Sequence, residues 1–352
     1  MPVEKKMLGR LSDGQIVSRY ILRNGNGTEA SFTDLGAIWL TMLVHDREGR
    51  LRDVVLGCDD PELLLKNPGH MGEPVGRCAN RIGGAQFTLN GRDFRLEANN
   101  GRNNLHSGND YYRTRVWEAE LSEAGLGSYV MFSLDSPDGD QGFPGNAKIC
   151  VTYMLAEDDT LSIRYEAEAD QDTLFNFTNH AYFNMNGHDS GDVLGQYVRL
   201  HADAWTWSDK ESIPTGEIRK VYGTPMDFRT PKKLGQDIGA DFDELLYGNG
   251  YDHNFCLNSI DGSIRPAAQM YAEESGIRME VETDLEGLQL YTANGLKGDF
   301  AAKGGVHYGP RHGCCFETQH YPDAIHHPEF PSPVVRAGET FRTSTIFRFT
   351  TE

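Results

Sequence analysis

The chain has 352 residues, a formal net charge of -19, and a hydrophobic fraction of 38%. It is longer than the ~100–200 residues of a typical domain, although all-β domains of ~200–250 residues occur as single units. The acidic charge opposes binding to nucleic acid and to anionic membrane surfaces, so neither is an expected partner. No repeat, low-complexity tract or linker divides the sequence, which predicts a single domain over residues 1–352.

The sequence favours a soluble, cytoplasmic protein. Its first residues, MPVEKKMLGRLSDG, lack the ~7–15 residue apolar run of a signal peptide, and no segment reaches the ~18 apolar residues of a membrane span. The cysteines have no C-x-x-C spacing, which predicts reduced thiols rather than a zinc site or disulfides. They are Cys58, Cys78, Cys150, Cys256, Cys314 and Cys315.

Runs of alternating apolar and polar residues predict strands along most of the chain. Residues 86–96, QFTLNGRDFRL, predict a hairpin because Asn90-Gly91 suits the positive φ angles of a type I′ turn. Residues 148–169 predict a second hairpin, in which Glu157-Asp158-Asp159 separates two runs rich in Val, Ile, Thr and Tyr. Further candidate strands are 16–23, 28–45, 114–121, 129–134, 277–283, 286–292 and 341–349.

Helical patterns are few and short. DPELLLKN from Asp60 and DFDELLYG from Asp241 each begin with an aspartate that is expected to cap the first turn, and Gly248 is expected to end the second helix. Many strands and hardly any helix predict an all-β fold, either an antiparallel sandwich or a barrel. Such a fold does not identify a function, which has to come from a site.

Two glycine- and asparagine-rich segments carry the first candidate site residues. GEPVGRCANRIGG, residues 72–84, places Arg77, Asn80 and Arg81 beside glycines, without the spacing of a phosphate-binding P-loop. An ordinary glycine turn with surface arginines is the alternative. In NNGRNNLHSG, residues 99–108, the asparagines are typical of a turn, and His106 is either a site residue or part of that turn.

The segment FNFTNHAYFNMNG, residues 175–187, has alternating polar and aromatic residues. A regular strand would place on one face Asn176, His180, Tyr182, Asn184 and Asn186. It would place on the other Phe175, Phe177, Phe183 and Met185. Asn, His and Tyr both donate to and accept from sugar hydroxyls, so this face favours a carbohydrate cleft.

The segment CCFETQHYPDAIHHPEFPSP, residues 314–333, contains Glu317 among apolar neighbours. Burial there would raise the pKa of its carboxyl above ~4.3 and suit a general base, although pairing with an arginine is the alternative. Adjacent histidines on a strand point to opposite faces, so IHHPE does not favour a metal site. Two further segments add polar residues: YDHNFCL with Asp252, and EGLQLYTANGL with Gln289.

Together these segments resemble those of the aldose 1-epimerases, the galactose mutarotases. The resemblance runs from about residue 36 to residue 345 and follows the family's order through GRCANRIGGAQFTLNG, NNGRNNLHSG, TNHAYFNMNG, YDHNF, GLQLYTANGL and FETQHYPDA. It implies a large antiparallel β-sandwich of the galactose mutarotase-like supersandwich type. It also implies a monosaccharide substrate and catalysis without a metal or organic cofactor.

The resemblance also implies roles for individual residues. His180 in N-H-x-Y-F-N matches the general acid, and Glu317 in E-T-Q matches the general base. The positions that match sugar-binding residues are Asn80, Arg81, His106, Tyr182, Asp252 and Gln289, whereas Arg77 is expected to support the cleft. An ordinary histidine pKa of ~6.5 beside Asp252 predicts a protonated His180. Ser107 departs from the family's L-H-G-G and is expected to crowd the loop or to add a hydroxyl contact with the sugar, either of which would affect sugar preference.

The expected reaction is interconversion of the α and β anomers of free aldohexoses such as galactose and glucose. A non-catalytic sugar sensor is one alternative, since the same hydroxyl contacts would serve it. A hexose-6-phosphate 1-epimerase is another, with Arg77, Arg81 and Arg102 as candidate phosphate ligands. A glycosidase would use Glu317 and Asp252 as its carboxylate pair. The sequence leaves open whether the protein is a monomer or a homodimer.

Overall fold

A five-stranded antiparallel sheet is formed by the N-terminal part of the chain. The computed structural model describes residues 3–124, 127–259 and 261–352. The strands of this first sheet follow one another in sequence: β1 (Glu4–Arg10), β2 (Ile16–Arg23), β3 (Glu29–Thr33), β4 (Trp39–His45) and β5 (Leu51–Asp53).

Two larger antiparallel sheets contain most of the remaining strands. The nine-stranded sheet has the spatial order β11 (Glu118–Ala124), β12 (Gly127–Ser136), β13 (Ala147–Ala156), β14 (Thr160–Ala169), β28 (Thr340–Thr351), β24 (Ile277–Thr283), β23 (Arg265–Tyr271), β18 (Tyr197–Leu200) and β21 (Lys232–Lys233). The six-stranded sheet has the order β17 (Tyr182–Phe183), β26 (Cys314–Gln319), β25 (Gly287–Tyr291), β22 (Asp252–Leu257), β19 (Ala202–Ser208) and β20 (Pro214–Lys220).

Short strand pairs accompany these sheets, and one of them supplies Arg81 and Leu105 to the cavity described below. They are β6 (Pro74–Val75) with β16 (Thr178–Asn179), β7 (Arg81–Ile82) with β10 (Asn104–Leu105), β8 (Gln86–Leu89) with β9 (Arg92–Arg95), and β15 (Thr173–Leu174) with β27 (Val334–Val335).

Aromatic side chains pack the sheets into a sandwich. The Trp39 ring, from the five-stranded sheet, lies 5.6 Å from Phe347 of the nine-stranded sheet and 5.6 Å from Phe183 of the six-stranded sheet. Phe32 stacks on Tyr153 at 4.1 Å across the same core. Because large buried aromatic groups contribute much of a core's apolar area, these contacts fix how the sheets face one another. The all-β antiparallel sandwich predicted from the sequence is confirmed.

The two α-helices are short, as the sequence predicts. In α1 (Pro61–Lys66) the Asp60 side chain accepts a hydrogen bond from the Leu63 amide, which confirms the predicted cap. In α2 (Asp243–Gly248) the cap position is Phe242, without a side-chain hydrogen bond, so the predicted cap at Asp241 is wrong. The last residue of this helix is Gly248, as expected, and Asn249 follows it as the C-cap with a left-handed φ of 50°. Within the described ranges, no helix has the length and hydropathy needed to cross a membrane.

The predicted hairpins form, but one predicted strand divides in two. Asn90 and Gly91 have φ angles of 53° and 74°, as a type I′ turn requires. Residues 28–45 contain both β3 and β4, because Gly36 and Ala37 adopt positive φ angles of 70° and 53° and turn the chain. The candidate at 114–121 begins late, at Glu118, after a 3₁₀ turn.

The segment FNFTNHAYFNMNG is not the regular strand that its alternation predicts. Only β16 and β17 are regular, because the chain changes partners along its length, from Arg77 and Ala79 to Glu73 and then to Leu56 and Val54. Its apolar residues do enter the core. Its asparagines do not form one ligand-facing wall: Asn176 donates to the carbonyls of Ala79 and His320, and Asn184 to those of Gly191 and His312.

Candidate active site

A polar cavity of about 170 Å³ lies where the short strand pairs meet the six-stranded sheet. This is smaller than the ~300–1,000 Å³ pockets of drug-sized ligands and suits a single sugar ring. It brings together all eight site residues expected from the sequence: Asn80, Arg81, His106, His180, Tyr182, Asp252, Gln289 and Glu317. Its remaining lining is Gly69, His70, Leu105, Tyr291, Gly295 and Leu296.

Three neighbouring strands supply the acidic side of the cavity. Gln289 on β25 is the cross-strand partner of Glu317 on β26, so both side chains lie on the same face of the sheet. Asp252, at the start of the adjacent strand β22, accepts a hydrogen bond of 2.7 Å from Gln289 Nε2. Regular sheet geometry therefore holds Gln289 between the two carboxyl groups.

His180 lies directly opposite Glu317. Its backbone amide donates to the Glu73 carbonyl at 3.0 Å, and its carbonyl accepts from the Gly72 amide at 3.1 Å. The ring Nδ1 lies 3.5 Å from Cys315 Sγ, and Nε2 lies 3.7 Å from Glu317 Oε1. Because both side chains are buried, an imidazole and a carboxyl group face each other in the cavity.

The turn residues of β7 and β10 form another wall. Asn80 and His106 have φ angles of 61° and 52°, and the Asn80 amide donates to His106 Nδ1 at 3.1 Å. With Nδ1 accepting, the neutral His106 ring carries its proton on Nε2. Arg81 Nη2 lies 3.9 Å from Asp252 Oδ2, which places opposite charges across the cavity.

Burial shifts the pKa values of His180 and Glu317 in opposite directions. Loss of solvation, with the nearby Asp252 charge, raises the pKa of Glu317 well above its ordinary value, as the sequence predicts. Loss of solvation, with His70, lowers the pKa of His180 to about 4 against the opposing effects of Glu73 and Asp252. The expectation of an ordinary histidine pKa at His180 is therefore wrong, because burial outweighs the carboxylates.

Two residues near the cavity are structural. Ser107 is buried, and its hydroxyl bonds the amide and carbonyl of Cys78 at 2.8 and 3.0 Å. Its expected contact with a sugar is absent from the cavity lining. Arg77 is fully buried and donates to Ser136, Pro137 and Pro144, so it supports the loops behind the cavity as expected.

His180 and Glu317 also form, with Cys315, a group of possible metal ligands. A ring nitrogen of His180, Sγ of Cys315 and a carboxylate oxygen of Glu317 lie within 4.8 Å of one another. Burial raises the pKa of the Cys315 thiol well above its ordinary value, so without a metal this group is a protonated thiol near neutral pH.

The sequence did not single out His70. It is an isolated histidine in a loop, NPGHMGEP, and carries no periodic signal. In the structure its ring lies 5.7 Å from that of His180 and 5.0 Å from that of His106. Its position beside two other cavity histidines could be known only once the chain was folded.

Comparisons with known proteins agree with this fold and define an enzyme of the β-sandwich class that acts on carbohydrates. A family model for aldose 1-epimerase matches residues 18–348. The chain belongs to the aldose 1-epimerase family.

Individual relatives match over nearly the whole chain. Galactose mutarotase of Bos taurus is 40% identical over 306 residues, covering 87% of this chain and 86% of its own. Aldose 1-epimerase of Escherichia coli (strain K12) is 34% identical over 342 residues, covering 97% of each chain. The crystal structure of galactose 1-epimerase from Lactobacillus acidophilus NCFM has a TM-score of 0.87 at 26% identity and covers 99% of both chains. These similarities support mutarotase activity.

Proposed function

We propose that the protein interconverts the α and β anomers of free aldohexoses such as galactose and glucose, with Glu317 as general base and His180 as general acid. The observation that carries this proposal is the 3.7 Å separation between His180 Nε2 and Glu317 Oε1 at one end of a buried polar cavity. Two proton-transfer groups at that spacing can reach the C1 hydroxyl and the ring oxygen of one sugar.

The proposed reaction needs only proton transfers. Glu317 removes the proton of the C1 hydroxyl while His180 donates a proton to the ring oxygen, and the C1–O5 bond breaks to give the open-chain aldehyde. After rotation about C1–C2, the C5 hydroxyl attacks the other face of the aldehyde, His180 takes back its proton, and Glu317 returns a proton to the former carbonyl oxygen. Each such transfer typically contributes ~10²–10⁴ in rate.

The other cavity residues are proposed to hold the sugar. Asp252 and Gln289 are already hydrogen-bonded to each other, so they present a fixed pair of groups to neighbouring hydroxyls. His106 offers an Nε2 proton to the ring-oxygen side, where negative charge develops as the ring opens. Asn80, Arg81 and Tyr182 complete the contacts. Fixing the sugar in this way adds an orientation term to the rate.

The charge arrangement disfavours a phosphorylated substrate. Arg77 is buried and committed to backbone carbonyls, and Arg102 is paired with Glu211 at the surface at 2.8 Å. Of the three candidate arginines, only Arg81 lines the cavity, where it faces Asp252. A non-catalytic sugar sensor would have no use for the opposed acid and base.

Polarimetry of freshly dissolved α-D-galactose and α-D-glucose tests the proposal. Glu317→Gln and His180→Asn are each expected to lower the catalysed rate by roughly 10²–10⁴ while leaving the fold intact by circular dichroism. Their combination is expected to cost little more than either change alone, because the two groups act together. Unchanged rates in both folded single variants would reject the assignment, and sugar binding by a wild type without catalysis would favour the sensor.

The proposal also covers the domain organisation of the protein and its location. The largest hydrophobic cluster draws residues from all three large sheets, which supports a single domain over residues 1–352. The free state of the six cysteines is compatible with the cytoplasmic location proposed here. Sedimentation of the purified protein would distinguish a monomer from a homodimer.

A further inference from the structure

His70 lies in the cavity wall but has no part in the proton transfers described above. Its side chain is 19% exposed, and its ring stacks on that of His180 at an interplanar angle of 26° and packs against that of His106. We propose that His70 binds the C6 hydroxyl of the substrate and thereby makes the enzyme prefer hexoses to 6-deoxy sugars and pentoses. This inference rests on the proposed roles of Glu317 and His180.

A buried network fixes the orientation of the His70 ring. Nδ1 contacts Glu73 Oε1, and Arg113 Nη1 approaches Glu73 Oε2 at 3.3 Å. Asn67 Nδ2 donates to the same Oε2 atom at 3.3 Å. Burial alone would raise the pKa of Glu73, but His70 and Arg113 hold it below its ordinary value, so this group is a carboxylate.

The carboxylate determines which nitrogen of His70 is free. Nδ1 of His70 donates to Glu73, which can only accept, and Arg113 Nη1 lies 3.2 Å from the same Nδ1, so the network engages the ring through this one nitrogen. Among the described residues, Nε2 has no protein partner, and it is the remaining ring nitrogen of a side chain that lines the cavity. A hydroxyl group of the substrate is a partner that can both donate to and accept from a ring nitrogen.

The strand arrangement indicates which hydroxyl that is. The chain around His180 is hydrogen-bonded to Glu73 and pairs with β6 along one edge, whereas β26 with Glu317 lies along the other. His180 therefore stands between Glu317 and the loop that carries His70. If C1 faces Glu317 and the ring oxygen faces His180, the other neighbour of the ring oxygen is C5, which carries C6. The C6 hydroxyl is thus directed toward His70.

A neutral hydroxyl fits this position better than a phosphate or carboxylate. The negative charge of Glu73 lies directly behind the His70 ring, and Arg113, the nearby cation, is already engaged by Glu73. An anionic group at C6 would have to approach the Glu73 carboxylate, and the nearby cation, Arg113, is already paired with that carboxylate. The network therefore favours an uncharged hydroxymethyl group.

Three substrates and two isosteric variants test the assignment. The substrates are D-galactose, 6-deoxy-D-galactose, and L-arabinose, which has the galactose configuration without C6. His70→Asn keeps an amide donor near the position of Nδ1 and removes Nε2, whereas His70→Gln places an amide near Nε2. His45→Asn is the control, because His45 is the last residue of β4, contacts the backbone carbonyls of Gly49 and Asn26, and does not line the cavity.

One neutral hydrogen bond is typically equivalent to about a five- to tenfold change in an equilibrium constant. The wild type is therefore expected to favour galactose over 6-deoxygalactose in kcat/KM by about that factor, mainly through KM. H70N is expected to bring the ratio close to one by losing galactose activity alone, and H70Q to retain part of the preference. The control is expected to keep the wild-type ratio.

The outcomes separate this inference from the proposed function. A wild type without mutarotase activity on any of the three sugars would reject the proposed function. An active wild type whose galactose preference is absent, or is unchanged in H70N, would reject the role of His70. An equal loss on all three sugars in H70N would identify His70 as a structural support of His180 and would also overturn the inference.

Discussion

Glu317 and His180 are expected to share one proton in the neutral form before a sugar binds. Burial raises the pKa of Glu317, and burial with His70 lowers the pKa of His180 to about 4. At about pH 6, a histidine with that pKa is roughly 1% protonated, whereas one with an ordinary pKa of ~6.5 would be roughly 75% protonated. The proton is therefore predicted to lie on the carboxyl group, the reverse of the ordinary arrangement.

Infrared difference spectroscopy can locate this proton. Subtracting the spectrum of Glu317→Gln from that of the wild type is expected to show the carbonyl stretch of a protonated carboxylic acid at about pH 6. Glu244 is a second source of such a band, because burial raises its pKa to about 7. Glu244→Gln is therefore the control, and it is expected to leave the Glu317 band unchanged.

A second substitution checks the cause of the shift. Asp252→Asn removes the carboxylate that raises the pKa of Glu317, so its band is expected to disappear at a lower pH than in the wild type. NMR titration of His180 in the same samples is expected to show a midpoint near 4. A carboxylate at Glu317 together with a His180 midpoint near ~6.5 would refute the reasoning.

Two stability predictions follow from buried charged groups outside the acid-base pair. Burial holds the pKa of Glu244 at about 7, above its unfolded value, so folding stability is expected to fall by up to about 3 kcal/mol as pH rises from about 4.5 to 7. Urea unfolding across this pH range would show the fall in the wild type, and Glu244→Gln should remove most of it. Arg77→Met is expected to cost about 3 kcal/mol or more because several buried acceptors lose their donor, whereas exposed Arg102→Met should cost less than about 1 kcal/mol. Similar unfolding midpoints for these two arginine variants would contradict the structural role of Arg77.

The sequence predicted the residues of the cavity better than it predicted their backbone. His180 and Glu317 could be identified because each lies in a polar segment that an ordinary strand or turn does not need, and because the ordered segments resemble one family. The backbone of residues 175–187 could not be predicted from alternation. Its hydrogen-bond partners come from residues 54–56, 72–79 and 314–315, which are distant in sequence and become neighbours only on folding.

The pKa of His180 shows the same limit. Asp252 and Glu73 do raise it, as expected of carboxylates near an imidazole, but burial and the neighbouring His70 have the larger effect. Whether a histidine is buried beside another histidine depends on tertiary packing, and the isolated His70 gives no periodic signal. Local sequence therefore predicted a histidine in the cavity but not its proton affinity.

The neutral form of the pair is also the form that ring opening produces. When Glu317 takes the C1 proton and His180 gives up its own, the site contains a carboxylic acid, a neutral imidazole and an open-chain aldehyde. The buried environment that disfavours both charges therefore stabilises this intermediate relative to the reactive closed-ring complex, in which the carboxylate and imidazolium are charged. The proton of Glu317 has to pass to His180 before ring opening, so contacts from the bound sugar that stabilise the ionic pair are needed to make the reactive form accessible.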